Sequence, residues 1–135
     1  PADRVELEIL TGYDGAALQA LLVLRDRAAL TEAIRSLKTF LRLSYDEVGR
    51  MFGVSGETVR RWVLGRGRVP EEQAARIREA HDALLGLLRL IGRDRLAEAV
   101  RRPAEAFSGR CALDVILEGR IREVADIYDL LLTYS

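Results

Sequence analysis

Ser55, Gly56, Glu57, Thr58, Arg60 and Arg61 fall within one short run, and their types suit contact with nucleic acid. On a helix starting at Ser55, residues Gly56, Glu57, Arg60 and Arg61 would point outward. A helix laid in the major groove reads bases from its N-terminal half. There Glu57 can accept a hydrogen bond from a cytosine amino group, and the fork of Arg60 matches O6 and N7 of guanine. Ser55, the free N–H groups at the helix start, Arg50, Arg61, Arg66 and Arg68 suit phosphates instead. The competing reading of these arginines is a solvated helix face on a domain that does not bind DNA. Trp62 belongs with packing rather than with DNA.

Other chemistry is thin. One cysteine, Cys111, excludes an internal disulfide framework and a thiolate metal cluster, and one histidine, His81, leaves no zinc-binding set. His81 shares a stripe with Ile77, Leu84 and Leu88, so packing or an interface is its expected role. Ser55 and Ser108 have no histidine nearby, and Gly65-Arg66-Gly67 lacks the spacing and lysine of a phosphate-binding loop. The expectation is a protein that is not an enzyme and needs no cofactor and no metal. The apolar stretch Ala83–Ile91 is short and interrupted by Arg89, so no membrane span is expected. No basic-then-apolar signal segment opens the sequence, and a cytoplasmic location is the expectation.

The elements that must position these residues read as helices. The 135 residues, 49% hydrophobic, suffice for one domain or two small ones sharing a core. Only Arg4–Ile9 alternates polar with apolar; it is either irregular or a short N-terminal strand whose partner comes from another copy or another protein. From Asp14 the step changes to three and four, with Ala17, Leu18, Leu21 and Leu22 on one stripe. A further helix, starting near Ala28 or Thr31, would carry Leu30, Ile34, Leu37 and Leu41 inward. Ser44 and Glu47 form a capping box, Gly53 sits where a left-handed residue ends that helix, and Ser55 caps the next with Thr58 at its third position. Two capped helices with glycine in the turn between them are a helix-turn-helix. Val48, Gly49 and Phe52 face in from the first helix, Val54 plugs the turn, and Val59 and Trp62 face in from the second. Gly49 falls where the two cross closely.

Pro70-Glu71-Glu72 starts a helix that runs to Ile91, and Asp94 to Arg102 reads as another, stopped by Pro103. Further on, Gly109 and Gly119 suit tight turns, and Asp114 can cap a helix beginning near Val115. A final amphipathic helix carries Val124, Ile127, Leu130 and Leu131. The exposed parts of Leu113, Leu117 and Ile121, with the closing run Leu131-Leu132-Thr133-Tyr134-Ser135, would form an apolar docking surface. The alternative gives Pro103, Phe107, Gly109, Asp114 and Gly119 a role in the fold only. The whole reads as an all-α chain in four parts: residues 1–27 (a possible strand and helix, for dimerisation), 28–69 (DNA binding), 70–102 (connecting helices) and 103–135.

Charge follows the same division. Lys plus Arg equals Asp plus Glu at 21 each, a net charge of zero that argues against nucleic acid. Yet residues 35–78 hold ten basic and five acidic side chains, while both flanks are acidic. The excess lies where phosphate neutralisation would need it. A single unit of this type rarely binds tightly alone, so a dimer on two half-sites about one helical turn apart is expected.

Two stretches carry a resemblance to known proteins. Val54-Ser55-Gly56-Glu57-Thr58-Val59-Arg60-Arg61-Trp62, followed by Gly65 and Pro70, resembles the recognition-helix pattern of Xre/Cro-type repressors. Gly56 departs from it, since that position usually carries a base-reading polar side chain. Pro103, Phe107, Gly109, Leu113-Asp114, Val115-Ile116-Leu117 and Gly119 resemble the toxin-binding domain of the Xre/MbcA/ParS antitoxins. Here Ala112 stands in place of a common proline, and Arg101 lies near a common tryptophan. The resemblance spans Ile34 to the end. It implies an antitoxin of a type II toxin-antitoxin system, binding a RES-type toxin that consumes NAD or uses it for ADP-ribosylation. It also implies repression of its own operon through operator DNA, in a homodimer or a larger toxin–antitoxin assembly. Leu113, Asp114, Leu117, Gly119, Ile121, Tyr134 and Ser135 are the toxin-binding candidates it points to. The alternative is a stand-alone dimeric helix-turn-helix regulator whose C-terminal domain contacts other proteins.

Overall fold

Asp14 opens the first helix: its carboxylate accepts from the Ala17 N–H at 2.8 Å, offsetting one of the unpaired donors at a helix start. The computed structural model describes residues 14–134, which fold into seven α-helices and one 3-10 turn, without a strand among the described residues. The chain is all-α. The alternating segment Arg4–Ile9 and the terminal Ser135 lie outside the described residues.

Helix α1, Gly15–Leu41, is a single rod of 27 residues, about 40 Å long. This corrects the expectation of a fresh start near Ala28 or Thr31. No glycine or proline interrupts the rod after Gly15, and its middle is rich in Ala, Leu and Arg, which favour helix. Its second half is buried through Leu30, Ala33, Ile34, Leu37 and Leu41, whereas Leu21, Val23 and Leu24 in the first half are exposed. Arg42 ends it in the left-handed region, with its N–H on the Lys38 and Thr39 carbonyls.

Helices α2 (Tyr45–Phe52) and α3 (Gly56–Val63) are two short capped helices joined by a tight turn. The Ser44 and Glu47 capping box is complete, with the Ser44 N–H donating to Oε1 of Glu47 at 2.9 Å and the Glu47 N–H donating to Ser44 Oγ at 3.1 Å. Gly53 closes α2 at φ 69. Helix α4, Glu71–Ile91, follows Pro70 with Glu71 and Glu72 in its first turn. Helix α5, Leu96–Ala99, is shorter than the stretch from Asp94 to Arg102 led one to expect. Beyond it, Glu105–Phe107 makes the 3-10 turn, and Pro103 pairs with Cys111 in an isolated antiparallel bridge.

Helix α6, Ala112–Leu117, starts one turn earlier than Asp114 alone suggested, which corrects the cap assignment. Cys111 holds the N-cap position. Asp114, in the first turn, accepts from its thiol at 3.2 Å. Helix α7, Ile121–Thr133, completes the chain after Gly119, which turns at φ 86.

One core joins all these parts. Helix α4 lies between α1 and α7, and α6 packs on α2. Leu37, Leu41, Ile77, Leu84, Leu87, Leu96 and Val100 are wholly buried among them. Two arginines tie the halves together. Arg76 of α4 donates to the Met51 carbonyl at 2.9 Å and the Phe52 carbonyl at 3.4 Å, satisfying acceptors left open at the end of α2. Arg101 bridges the Ala97 and Arg42 carbonyls at 2.6 and 2.9 Å. Gly119 fits beside the first of these ties: a Cβ there would meet the Met51 oxygen at 3.1 Å and the Arg76 guanidinium at 3.3 Å.

Candidate nucleic-acid interface and C-terminal surface

Helix α3 is held from beneath and bare on top. Val59 and Trp62 enter the core, as their spacing required, while Glu57, Arg60 and Arg61 are exposed. The turn that sets its angle is tight: the Val54 N–H donates to the Gly49 carbonyl at 3.0 Å. A Cβ on Gly49 would come within 2.4 Å of the Val54 oxygen, so only glycine lets the helices cross this closely.

Gly56 corrects the sequence reading. It does not face outward but is buried against the start of α2, where a Cβ would meet Asp46 Oδ1 at 2.1 Å and the Asp46 backbone nitrogen at 2.8 Å. The missing side chain at this position is the condition for two helix N-termini to abut. Packing, rather than base reading, accounts for the glycine.

Ser55 caps α3, accepting from the Thr58 N–H at 3.1 Å and sharing a hydroxyl–hydroxyl bond with Thr58 at 2.9 Å. Its oxygen is therefore engaged by the helix itself. What remains for an anion at this end is the positive pole of the dipole and the N–H groups ahead of Thr58. On the exposed face, Glu57 Oε1 lies 3.5 Å from Arg60 Nη1 and 4.0 Å from Arg61 Nε. Exposed pairs of this kind are worth little and are easily exchanged for another partner. Arg50 stands exposed on α2, and Arg66 and Arg68 are exposed in the loop after α3. The structure thus brings Glu57, Arg60, Arg61 and Arg66 around one shallow hollow, with Leu64 at its edge.

The C-terminal candidates divide differently. Leu113, Leu117 and Ile121, expected to lend exposed parts to a docking surface, are 8%, 6% and 4% exposed and belong to the core. Short α6 is gripped on both sides, by α2 and α7, which leaves its leucines no free face. Asp114 is exposed but already bonded to Cys111. Gly119 is exposed in its turn beside Arg76. Apolar exposure instead gathers past the core contacts of α7, at Leu130 (59%), Leu131 (48%), Leu132 (51%) and Tyr134 (80%). Val124 and Ala125 anchor the same helix one to two turns earlier. Phe107 and Tyr128 pack 6.0 Å apart at the point where the helix leaves the core. Burial, and then the neighbouring Cys111, push the Tyr128 phenol above its usual pKa. At the base of α7, hydrogen bonds from Arg110 and Arg120 hold the Glu118 carboxyl below the usual carboxylate range.

The ties made by Arg76 and Arg101 escaped the sequence reading, because an arginine bonded to distant carbonyls has no local pattern. Among the described residues no group of His, Cys, Asp and Glu could hold a metal, and no helix is long and apolar enough to cross a membrane.

No protein-family model matches the chain, and no curated protein matches it. The chain is similar to one in the crystal structure of the M. tuberculosis MbcT-MbcA toxin-antitoxin complex, with 22% identity and a TM-score of 0.60. The match covers 78% of this chain and 95% of that one. What the likeness shows is a shared fold.

Proposed function

We propose that this chain is an antitoxin that binds a toxin through its C-terminal region and represses its own operon through the helix-turn-helix. The observation that carries the reading is the fold it shares, over nearly all of the matched chain, with a component of a toxin-antitoxin complex. The distribution of exposed chemistry supports it. Leu130, Leu131, Leu132 and Tyr134 form an apolar end on a helix anchored by its other half. Such an end can enter a partner's cleft without disturbing the core that holds it. The exposed arginines of α3 and its loop supply the DNA-facing chemistry, and residues 28–69 and 103–135 divide the two tasks. The resemblance in sequence names the partner class: a RES-type toxin that consumes NAD or transfers ADP-ribose. The chain acts without catalysis or cofactor of its own, in the cytoplasm, as a homodimer or within a larger toxin–antitoxin assembly.

Truncation after Leu130 tests the docking surface. The shortened chain is expected to keep its helical circular dichroism and thermal transition while losing the power to silence the toxin. A truncated chain that still neutralises would remove the tail from the interface.

A further inference from the structure

One face of α4 points away from the core and has an order of its own. At helical spacing it presents Arg78, Asp82, Leu85, Gly86, Arg89 and Arg93, with Leu85 44% exposed at its middle. Leu85, Leu88, Arg89 and Arg93 line an open hollow of about 620 Å³. Gly86 is the single glycine within α4, and a Cβ there would meet nothing within 4 Å. Glycine in mid-helix costs about 1 kcal/mol against alanine, and no contact within this chain calls for it. Among the described residues no ion pair holds Asp82 or Arg89. None of the DNA-facing or C-terminal candidates lies on this face.

We propose that this face is the interface of a homodimer, with α4 of a second copy crossing it antiparallel. The inference rests on the homodimer proposed above and names its surface. A two-fold axis between Leu85 and Gly86 sets Leu85 of each copy over Gly86 of the other. The bare glycine lets the helix axes approach to about 8 Å, the near end of helix packing distances, and the leucine fills the space of the missing side chain. The same axis puts Asp82 of each copy opposite Arg89 of the other, so one face supplies both members of two ion pairs. A parallel pairing would set Asp82 against Asp82 and Arg89 against Arg89, which like charge disfavours. Arg78 and Arg93 fall opposite each other only at the ends of the crossing. Each is already engaged in its own chain, Arg78 by Glu71 at 3.2 Å and Arg93 over the Phe40 ring at 5.4 Å.

Sedimentation equilibrium of the full chain, free of toxin and DNA, tests this. The unaltered chain is expected to dimerise, and Asp82→Arg to weaken the dimer about tenfold or more, since symmetry breaks two pairs at once. Arg89→Asp should do the same. The double exchange, Asp82→Arg with Arg89→Asp, reforms both pairs with their signs reversed and is expected to recover the dimer. Leu85→Asp is expected to leave a monomer. All three positions are exposed, so helical circular dichroism should stay the same in every variant. An unaltered chain that is monomeric throughout would overturn both the homodimer and its face. A dimer indifferent to these substitutions would overturn the face alone, and so would a double exchange that dimerises no better than the single ones.

Discussion

Two glycines where α2 meets α3, and one arginine of α3, show how differently single residues act here. Gly49 and Gly56 stand where a Cβ would strike backbone atoms of the facing element. Gly86, within α4, has open space around it, with nothing within 4 Å of a built Cβ. Gly56→Ala is therefore expected to destabilise the fold by about 1–3 kcal/mol through overpacking. Gly86→Ala is expected to stabilise it by about 0.5–1 kcal/mol through helix propensity. Urea unfolding of both variants checks the contrast, and opposite signs are the expected outcome. Arg60 concerns function instead. On the proposed reading, its exposed pairing with Glu57 leaves the fork free to turn toward a base. Arg60→Ala should cost about 1–3 kcal/mol on the operator and relax one base preference. Equal loss on random DNA, measured by fluorescence anisotropy at fixed salt, would make Arg60 a phosphate contact.

At the level of elements, the caps were the most legible part of the sequence. Ser44 and Glu47, Gly53 and Ser55 mark α2, the turn and α3 by local chemistry alone, and each occupies its expected place. Ser44→Ala should lower stability by about 1 kcal/mol, read as a shift in the urea midpoint at constant slope. What was not legible depends on neighbours distant in the chain. Gly56 reads as an exposed departure from a pattern until Asp46 is seen against it. Leu113, Leu117 and Ile121 read as half-exposed until α6 is found clasped between two helices. Helix α6 starts a turn early, with Cys111 at the N-cap although its side chain makes no capping hydrogen bond, while Asp114, the better capping type, falls in the first turn. The phenol of Tyr128 reports on the anchoring of α7. Its pKa is raised in the folded chain, so its contribution to stability is full below the usual phenol value of about 10 and is lost as pH rises through the folded value. Tyr128→Phe should flatten that alkaline loss, followed by thermal melts across the range, and an unchanged slope would place the loss elsewhere.

Across the whole molecule, the zero net charge conceals an ordered division. The basic excess lies in residues 35–78, which flank and include α2 and α3, and the exposed leucines and Tyr134 sit at the far end of α7. One continuous core, tied by Arg76 and Arg101, holds both surfaces on one body. That arrangement suits a protein that meets DNA with one face and a protein with another. Its central claim is toxin neutralisation, and co-expression with the product of the adjacent reading frame tests it most directly. The expected result is that this product halts growth and depletes NAD or ADP-ribosylates a target when expressed alone. Together with this chain, it should be silent and co-purify as a complex. A neighbour that is harmless alone, or that remains toxic and uncomplexed beside this chain, would contradict the account.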